Sequence, residues 1–227
     1  MAQAGIHGLV GLILRKWAPH WEWLILGLVL GNLLPDADNL AVAIATVAKL
    51  PTEGLHRTFS HSLFTVVVIY LLFYLIAATT HQHRWANLGL GLSLGVFLHI
   101  LLDLLIWFNG VAILWPIPSW VNLWAHIKPP DWWDKLMLPM EFLFFALFFW
   151  GLAIMAQRRD TDRDFLDALR VWTMAQVVLF VVFTVLVYIM RQGFMTIYGI
   201  GYLLSLGLAF WVAIRMRKTV EAITKLT

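Results

Sequence analysis

The sequence predicts an all-α fold, a polytopic transmembrane helix bundle of about six to seven helices of which the first two are short. Composition is the first reason, because 61% of the 227 residues are hydrophobic and only 13% are charged, with a mean hydropathy of +0.80; soluble domains do not have these values. The second reason is a series of apolar runs that approach or exceed the roughly 20 residues needed to cross a bilayer. The third is that the basic residues lie at the ends of these runs.

Seven apolar segments follow one another along the chain. The first, residues 4–14, lacks the basic region and cleavage site of a signal peptide and is expected to be a retained helix. The second short segment is residues 21–34, and the five longer ones are residues 63–79, 85–108, 136–156, 168–190 and 197–214. Within this single integral membrane domain we distinguish a metal-site half, residues 1–135, from a C-terminal scaffold of three transmembrane helices, residues 136–227.

The basic residues predict the topology. With seven crossings, all the basic clusters fall on one side, and the positive-inside rule makes that side cytoplasmic. A multi-pass protein of the cell inner membrane is therefore expected, with its N-terminus outside and its C-terminus in the cytoplasm; a re-entrant first pair would not change this parity. Because the basic residues mark span ends, the pI of about 9.3 does not indicate nucleic-acid binding. The chain has no cysteine, which excludes disulfides, thiolate metal sites and cysteine nucleophiles.

The fourth apolar segment contains the stretch "GLSLGVFLHILLD", which carries a stripe of small and ionisable residues. Gly91, Gly95, His99 and Asp103 share one helix face at four-residue spacing. Small residues allow close helix packing, and the same face then presents an imidazole and a carboxylate. This pair could bind metal, or it could be an ordinary buried His–Asp hydrogen bond; ionisable groups at membrane depth are usually functional.

"GNLLPDADN" has a similar stripe that ends in two carboxylates. Gly27, Gly31 and Pro35 repeat the four-residue spacing, and Pro35 is expected to end the helix. Asp36 and Asp38 follow at once. They could be metal ligands, or they could be solvated or capping residues of a proline turn.

"HRTFSHSLF" places two imidazoles and a guanidinium directly before a long apolar run. Ser60 is the predicted N-cap of a helix that begins at His61, which leaves His56 and Arg57 in the preceding loop. A helix N-terminus beside an arginine favours an anion such as a phosphate. The alternative is a juxtamembrane loop that contacts lipid headgroups.

The predicted topology brings these segments to one depth near the outer face. The candidate metal ligands are His7, Asp36, Asp38, His56, His61, His99 and Asp103. Seven ligands exceed the needs of one tetrahedral ion, so two divalent ions are expected, with Zn²⁺ favoured and Mn²⁺ or Mg²⁺ as alternatives. Catalytic roles are predicted for three residues: Asp38 and Asp103 would bridge metals or act as a base, and Arg57 would offset charge on an oxyanion. Ser60 and Ser62 are expected to orient ligands.

The motifs resemble those of the membrane-bound metal-dependent hydrolase family, also called YdjM-like. "GIHGLVG", "LLPDAD", "HRTFSHSL" and "HILLDLL", followed by "NGVAILWPIP", match in order and spacing over roughly residues 4–119. The resemblance implies a bacterial or archaeal inner-membrane enzyme whose motif histidines and aspartates, the same seven residues, are the metal ligands. One departure is Ile6, where the family pattern has a hydroxyl residue.

Two features outside these motifs have less specific interpretations. Glu141 is interpreted as an interfacial carboxylate in water, with an additional metal ligand as the alternative. The Trp-rich loop of residues 107–133 is interpreted as an aromatic anchor, with a lid over the site as the alternative. His81, His83 and His126 are expected to lie outside the site.

The sequence therefore predicts a metal-dependent hydrolase of a lipid or lipid-linked phosphoester at the outer leaflet, with membrane lipids and an amphipathic substrate as partners and no nucleic acid. A tetrapyrrole-binding membrane protein is one alternative, but the three aspartates do not suit an apolar haem site. A metal-ion transporter is the other, although the polar residues gather near one face and mark no path through the inner half. The motifs of zinc metalloproteases and serine hydrolases are missing.

Overall fold

The computed structural model describes residues 4–222 and confirms the all-α fold class. Within this range the α-helices are α1 Ala4–Leu14, α2 Leu24–Leu33, α3 Asn39–Val47, α4 Leu63–Thr80, α5 His83–Ile106, α6 Asp131–Arg159, α7 Leu166–Ile189, α8 Phe194–Arg215 and α9 Arg217–Glu221. Two short strands, β1 Val111–Ala112 and β2 Trp120–Val121, pair antiparallel. Single 3₁₀ turns precede α3, α4 and α7.

Among the described residues, five helices, α4 to α8, are long and apolar enough to cross a membrane. A sixth span arises if α2 and the segment Pro35–Val47, which bend by 41° at Pro35, are taken together. Helix α1 has 11 residues and is therefore about 16 Å long, half the thickness of the hydrocarbon core. With α2 it gives the two short helices that the sequence predicts. Helix α3 lies between the second and third apolar segments, residues 21–34 and 63–79, where the sequence predicts no helix.

The basic clusters meet at one end of the bundle, as predicted. The guanidinium of Arg15, after α1, donates to the carbonyl oxygens of Thr219 and Val220 in α9. Arg84 at the start of α5 and Arg217 both lie over the ring of Trp23. We call this the basic end. Which side of the membrane it faces stays a prediction, as does the division of the chain at residue 135.

Glycines allow α2 and α5 to pack with their backbones in contact. A Cβ on Gly31 would lie 2.2 Å from the Leu92 carbonyl oxygen, and one on Gly91 would lie 2.1 Å from the Leu24 carbonyl oxygen. No side chain fits at such distances, so only glycine permits this approach. This close approach fixes the position of α5 along the axis of α2.

Ser62, not Ser60, is the N-cap of α4. The Ser62 Oγ accepts a hydrogen bond of 3.1 Å from the Phe64 amide, and α4 begins at Leu63. His61 belongs to the 3₁₀ turn Phe59–His61 that precedes the cap. The predicted cap was wrong because two serines precede the apolar run, and this turn shifts the helix start by two residues.

The Trp-rich segment braces the loop before α4. The Ala112 amide in β1 donates to the Arg57 carbonyl oxygen at 3.0 Å, and the Leu63 amide donates to the Ile113 carbonyl oxygen at 2.9 Å. Ser62 donates to the Trp115 carbonyl oxygen at 2.9 Å. Part of this segment thus holds the loop that carries His56 and His61.

Candidate metal centre

The structure brings all seven predicted ligands together. They come from α1, the turn after α2, the loop before α4, and α5, and every one except His56 is buried. Three groups offer ligand atoms within 4.8 Å of one another: His7, His99 and Asp103; Asp36, His61 and His99; and Asp38, His56 and His61. These buried clusters could hold a metal ion.

His99 is oriented by the backbone of α2. Its Nδ1 lies 2.7 Å from the Asn32 carbonyl oxygen. A carbonyl oxygen only accepts, so Nδ1 must carry the hydrogen, and in the neutral ring Nε2 keeps its lone pair. The α2–α5 packing therefore aims one nitrogen lone pair of His99 into the centre.

His61 is oriented by the loop that carries it. Ser60 Oγ donates to Asp38 Oδ2 at 2.6 Å and lies 2.9 Å from His61 Nδ1. Since the serine hydrogen goes to the carboxylate, the serine oxygen accepts from Nδ1, and the Nε2 lone pair of neutral His61 is left to face the centre. The Nε2 atoms of His61 and His99 are 3.1 Å apart.

Two lone pairs at this distance repel unless a cation lies near them. Carboxylate oxygens surround the pair: Asp36 Oδ1 lies 3.9 Å from His61 Nε2 and 3.8 Å from His99 Nε2, while Asp103 Oδ2 lies 3.5 and 3.9 Å from the same atoms. The other oxygen of Asp36 is buried without a hydrogen-bond partner among residues 4–222. Imidazole nitrogens and carboxylate oxygens are the donors that Zn²⁺ and related ions prefer. The residues present therefore fit a divalent cation.

His7 lies beside this centre, against Asp103 and His99. Its Nε2 is 3.1 Å from Asp103 Oδ1, and its ring stacks on that of His99 with centroids 3.7 Å apart. Its Nδ1 is buried without a hydrogen-bond partner in the described part of the chain. The contact between Nε2 and Asp103 thus fixes the orientation of the His7 ring, and Nδ1 is available to bind a metal ion.

Asp38 has its hydrogen-bonding capacity occupied by neighbours. His56 Nδ1 lies 2.7 Å from Oδ1, while Ser60 Oγ and the Arg57 amide donate to Oδ2. The carboxylate therefore fixes two histidines, His56 directly and His61 through Ser60. Metal ligation by Asp38 itself stays a prediction.

His56 is the site histidine nearest to solvent. Its side chain is 22% exposed, yet its Nε2 is buried and has no hydrogen-bond partner among residues 4–222. Burial lowers the pKa of His56, although the hydrogen bond that it donates to Asp38 opposes the shift. The ring is therefore neutral at neutral pH, with Nδ1–H held by Asp38 and a lone pair on Nε2.

Arg57 has a strained backbone and a buried guanidinium. Its φ of 61° is in the left-handed region, which disfavours a long side chain. The guanidinium is held between Asp103 Oδ2, 3.4 Å from Nη2, and the Asn109 carbonyl oxygen, 3.3 Å from Nη1. In this conformation the Arg57 side chain reaches Asp103, and the Arg57 amide donates to Asp38.

Two expectations about neighbouring residues were wrong. Glu141 is fully buried and not in interfacial water; its Oε1 accepts a 2.9 Å hydrogen bond from the Gly5 amide. Ser62 orients no ligand, because its hydroxyl bonds the backbone of the Trp-rich segment and caps α4.

The three histidines expected outside the site lie away from it. His81 and His83 lie at the junction of α4 and α5, and His126 is exposed in the loop before α6.

Sequence reasoning missed Asn32 and Tyr202. Asn32 orients His99 through its backbone, and its amide side chain in an apolar helix was a visible signal. Tyr202 in α8 places its hydroxyl 3.5 Å from the Asp36 carbonyl oxygen. No motif marks Tyr202, and the segment that contains it was interpreted as scaffold.

Comparison with known proteins identifies a matching family. A model of the YdjM inner membrane protein family matches residues 3–198, a range that includes all seven candidate ligands and also α6 and α7. No curated protein and no solved structure matches the chain.

Proposed function

The chain belongs to the YdjM inner membrane protein family, and we propose that it is a membrane-embedded metal-dependent hydrolase acting on a lipid or lipid-linked phosphoester at the outer face of the inner membrane. The observation that carries the proposal is the meeting of four histidines and three aspartates from four segments in one buried cluster. Burial of so many ionisable groups is costly in a membrane and is typical of a functional site.

The residues that would hold a metal are those with ligand atoms facing the centre. His61 Nε2, His99 Nε2, Asp36 and Asp103 form the first position. His7, beside His99 and Asp103, is the donor for a second ion. His56, which the sequence predicts as a further ligand, has a different role in this proposal. Zn²⁺ suits this donor set best, with Mn²⁺ or Mg²⁺ as alternatives. When bound, such ions supply Lewis-acid polarisation of a phosphoryl oxygen and lower the pKa of water.

Asp38 and His56 form a pair suited to proton transfer. Asp38 holds the Nδ1–H of His56 at 2.7 Å, so Nε2 is the basic atom of the ring, as in other catalytic pairs in which a carboxylate fixes an imidazole. His56 is thus our candidate base, and Asp38 acts through it.

Arg57 and Asp103 supply charge on the other side of the centre. The buried guanidinium of Arg57 would bind an anionic phosphoryl oxygen, because guanidinium groups match phosphate geometry. Its contact with Asp103 Oδ2 keeps the cation in place when no substrate is bound. Asp103 meanwhile connects His7, His99 and Arg57.

The outer-face location follows from the predicted topology, with the basic end in the cytoplasm. Helix α3 continues directly from Asp38, and its exposed face carries Leu40, Ile44 and Val47. An apolar face of this kind favours contact with the membrane. An amphipathic substrate in the outer leaflet would reach the site beside α3.

The test is metal analysis followed by an activity screen. The protein purified in mild detergent should carry a divalent ion and should hydrolyse a phospholipid or an isoprenoid phosphate, and a chelator should abolish the activity. His56→Gln should keep the metal and lower kcat by about 10²–10⁴-fold, whereas His126→Gln, in the exposed loop, should change neither. Bound metal without turnover of any of these substrates would refute the hydrolase and leave the metal centre standing.

A further inference from the structure

A groove at the basic end, which runs from the middle of α1 past its C-terminus, has the features of a lipid site. It lies between α1 and α6 and has a volume of about 680 Å³. Its walls are apolar and include Leu9, Ile13, Trp150 and Ile154. Ile13 and Trp150 are about half exposed, so this wall faces the surroundings of the bundle, which for a membrane protein are lipid chains.

The rim of the groove carries positive charge alone. The ionisable residues that line it are Arg15, Lys16, Arg158 and Arg159, and no acidic residue is among them. Arg15, Lys16 and Arg158 form no ion pair with a carboxylate in residues 4–222. Other arginines at this end do: Arg215 contacts Asp162 and Asp164. The charges of Arg15, Lys16 and Arg158 are therefore not balanced by any carboxylate in the described part of the chain.

Arg15 is fixed in this position by the fold. Its side chain is buried, and Nη1 donates to the carbonyl oxygens of Thr219 and Val220 at 3.2 and 3.4 Å. Burial, and then the nearby charge of Arg159, lower the pKa of Arg15 to about 10, which still leaves it charged at neutral pH. A cation held this firmly beside others of the same sign favours an anionic ligand.

The groove also has room for a hydrocarbon chain. A Cβ on Gly151, in the wall formed by α6, would meet nothing closer than a Leu9 methyl group at 4.0 Å. The space over Gly151 is thus open between the apolar walls. A free phosphate would use the rim and leave these walls uncovered, whereas a phospholipid would use both.

We propose that the α1–α6 groove binds an anionic phospholipid, with the phosphate at the Arg15, Lys16 and Arg158 rim and an acyl chain lying over Gly151. Basic pockets between helices at one membrane face are suited to such headgroups. The site is separate from the metal centre, and this inference does not depend on the hydrolase proposal.

Thermal unfolding of the detergent-purified full chain with added phosphatidylglycerol tests the proposal, with native mass spectrometry to count retained lipids. Phosphatidylglycerol should raise the unfolding midpoint, and phosphatidylcholine and inorganic phosphate should not. Each removed rim cation should weaken the apparent affinity about fivefold, since that is the usual contribution of one basic residue near anionic lipid. Lys16→Gln combined with Arg158→Gln should therefore weaken it about 25-fold.

Two further variants locate the site. Gly151→Leu should weaken phosphatidylglycerol binding by filling the groove, with the charges unchanged. Arg170→Gln removes an exposed cation in α7 that pairs with Asp167 and should leave the affinity within twofold. The proposal fails if inorganic phosphate gives the same shift, if phosphatidylcholine binds equally, or if the rim variants bind as the wild type does. Lys16 and Arg158 are exposed, so their substitution should not disturb folding. Their variants therefore test the lipid site even if Gly151→Leu does not fold.

Discussion

Ser60 Oγ donates a 2.6 Å hydrogen bond to Asp38 Oδ2 and lies 2.9 Å from His61 Nδ1, so one hydroxyl links a carboxylate to a candidate metal ligand. Carboxylate and hydroxyl partners of this kind fix the tautomer and the ring orientation of metal-binding histidines. Two residues along the chain, Ser62 uses its hydroxyl on the backbone and on the α4 N-terminus. The two serines therefore have separable roles.

Ser60→Ala should weaken divalent-metal binding by about 10–100-fold, because His61 loses the group that directs its Nε2 toward the centre. Ser62→Ala should instead lower the free energy of unfolding by about 1 kcal/mol through loss of the α4 cap, with metal affinity nearly unchanged. Metal titration by calorimetry and thermal unfolding of both variants measure the two effects. Equal metal affinities for Ser60→Ala and wild type would contradict the orienting role.

Metal removal should destabilise the protein, because the His61 and His99 lone pairs and the buried carboxylates then face one another without a cation. A free Zn²⁺ concentration 100 times the Kd should add about 2.7 kcal/mol of stability by mass action. Unfolding should be followed with chelator and with added Zn²⁺. His99→Ala should abolish the difference, and His126→Ala should preserve it. A wild-type midpoint that does not respond to chelator or to Zn²⁺, Mn²⁺ or Mg²⁺ would rule out a stabilising metal at this site.

The helix packing and the approximate site could be predicted because both depend on regular spacing. Gly91, Gly95, His99 and Asp103 recur every four residues, which places them on one helix face whatever the tertiary structure. Ionisable residues in apolar segments stand out for the same reason. Because successive spans alternate in direction, the sequence also predicts the depth of each motif in the membrane. Residues from four segments could therefore be assigned to one centre.

Contacts that depend on irregular backbone or on non-sequential helices could not be predicted. The 3₁₀ turn at Phe59–His61 moves the α4 cap from Ser60 to Ser62, and sequence alone gives either serine as a good cap. The burial of Glu141 results from the packing of α6 on α1, where Gly5 leaves room for close approach. Helix α3 is short, and short helices depend on tertiary contacts more than on propensity.

Gly31→Ala should destabilise the bundle by about 1–3 kcal/mol, the usual cost of overpacking, because its Cβ would lie 2.2 Å from the Leu92 carbonyl oxygen. Separation of α2 from α5 should also lengthen the Asn32–His99 hydrogen bond, so metal affinity should fall with stability. Gly199→Ala is the matched control, since a Cβ there meets nothing within 4 Å. The close-packing account would be wrong if both variants unfolded at the wild-type midpoint.

Glu141 should act by anchoring α1 and not as a metal ligand. The Gly5 amide is in the first turn of α1, where amides have no partner within the helix, and Glu141 Oε1 satisfies it from α6. Glu141→Gln keeps a carbonyl oxygen for this bond. It should therefore leave metal affinity within about twofold, a difference of about 0.4 kcal/mol in binding free energy. Glu141→Leu leaves the buried amide unsatisfied and should cost about 1–3 kcal/mol of stability. Because Gly5 is two residues from His7, the leucine variant should also weaken metal binding. A large loss of metal from Glu141→Gln, with unfolding unchanged, would instead identify the carboxylate as a ligand and overturn the anchoring role.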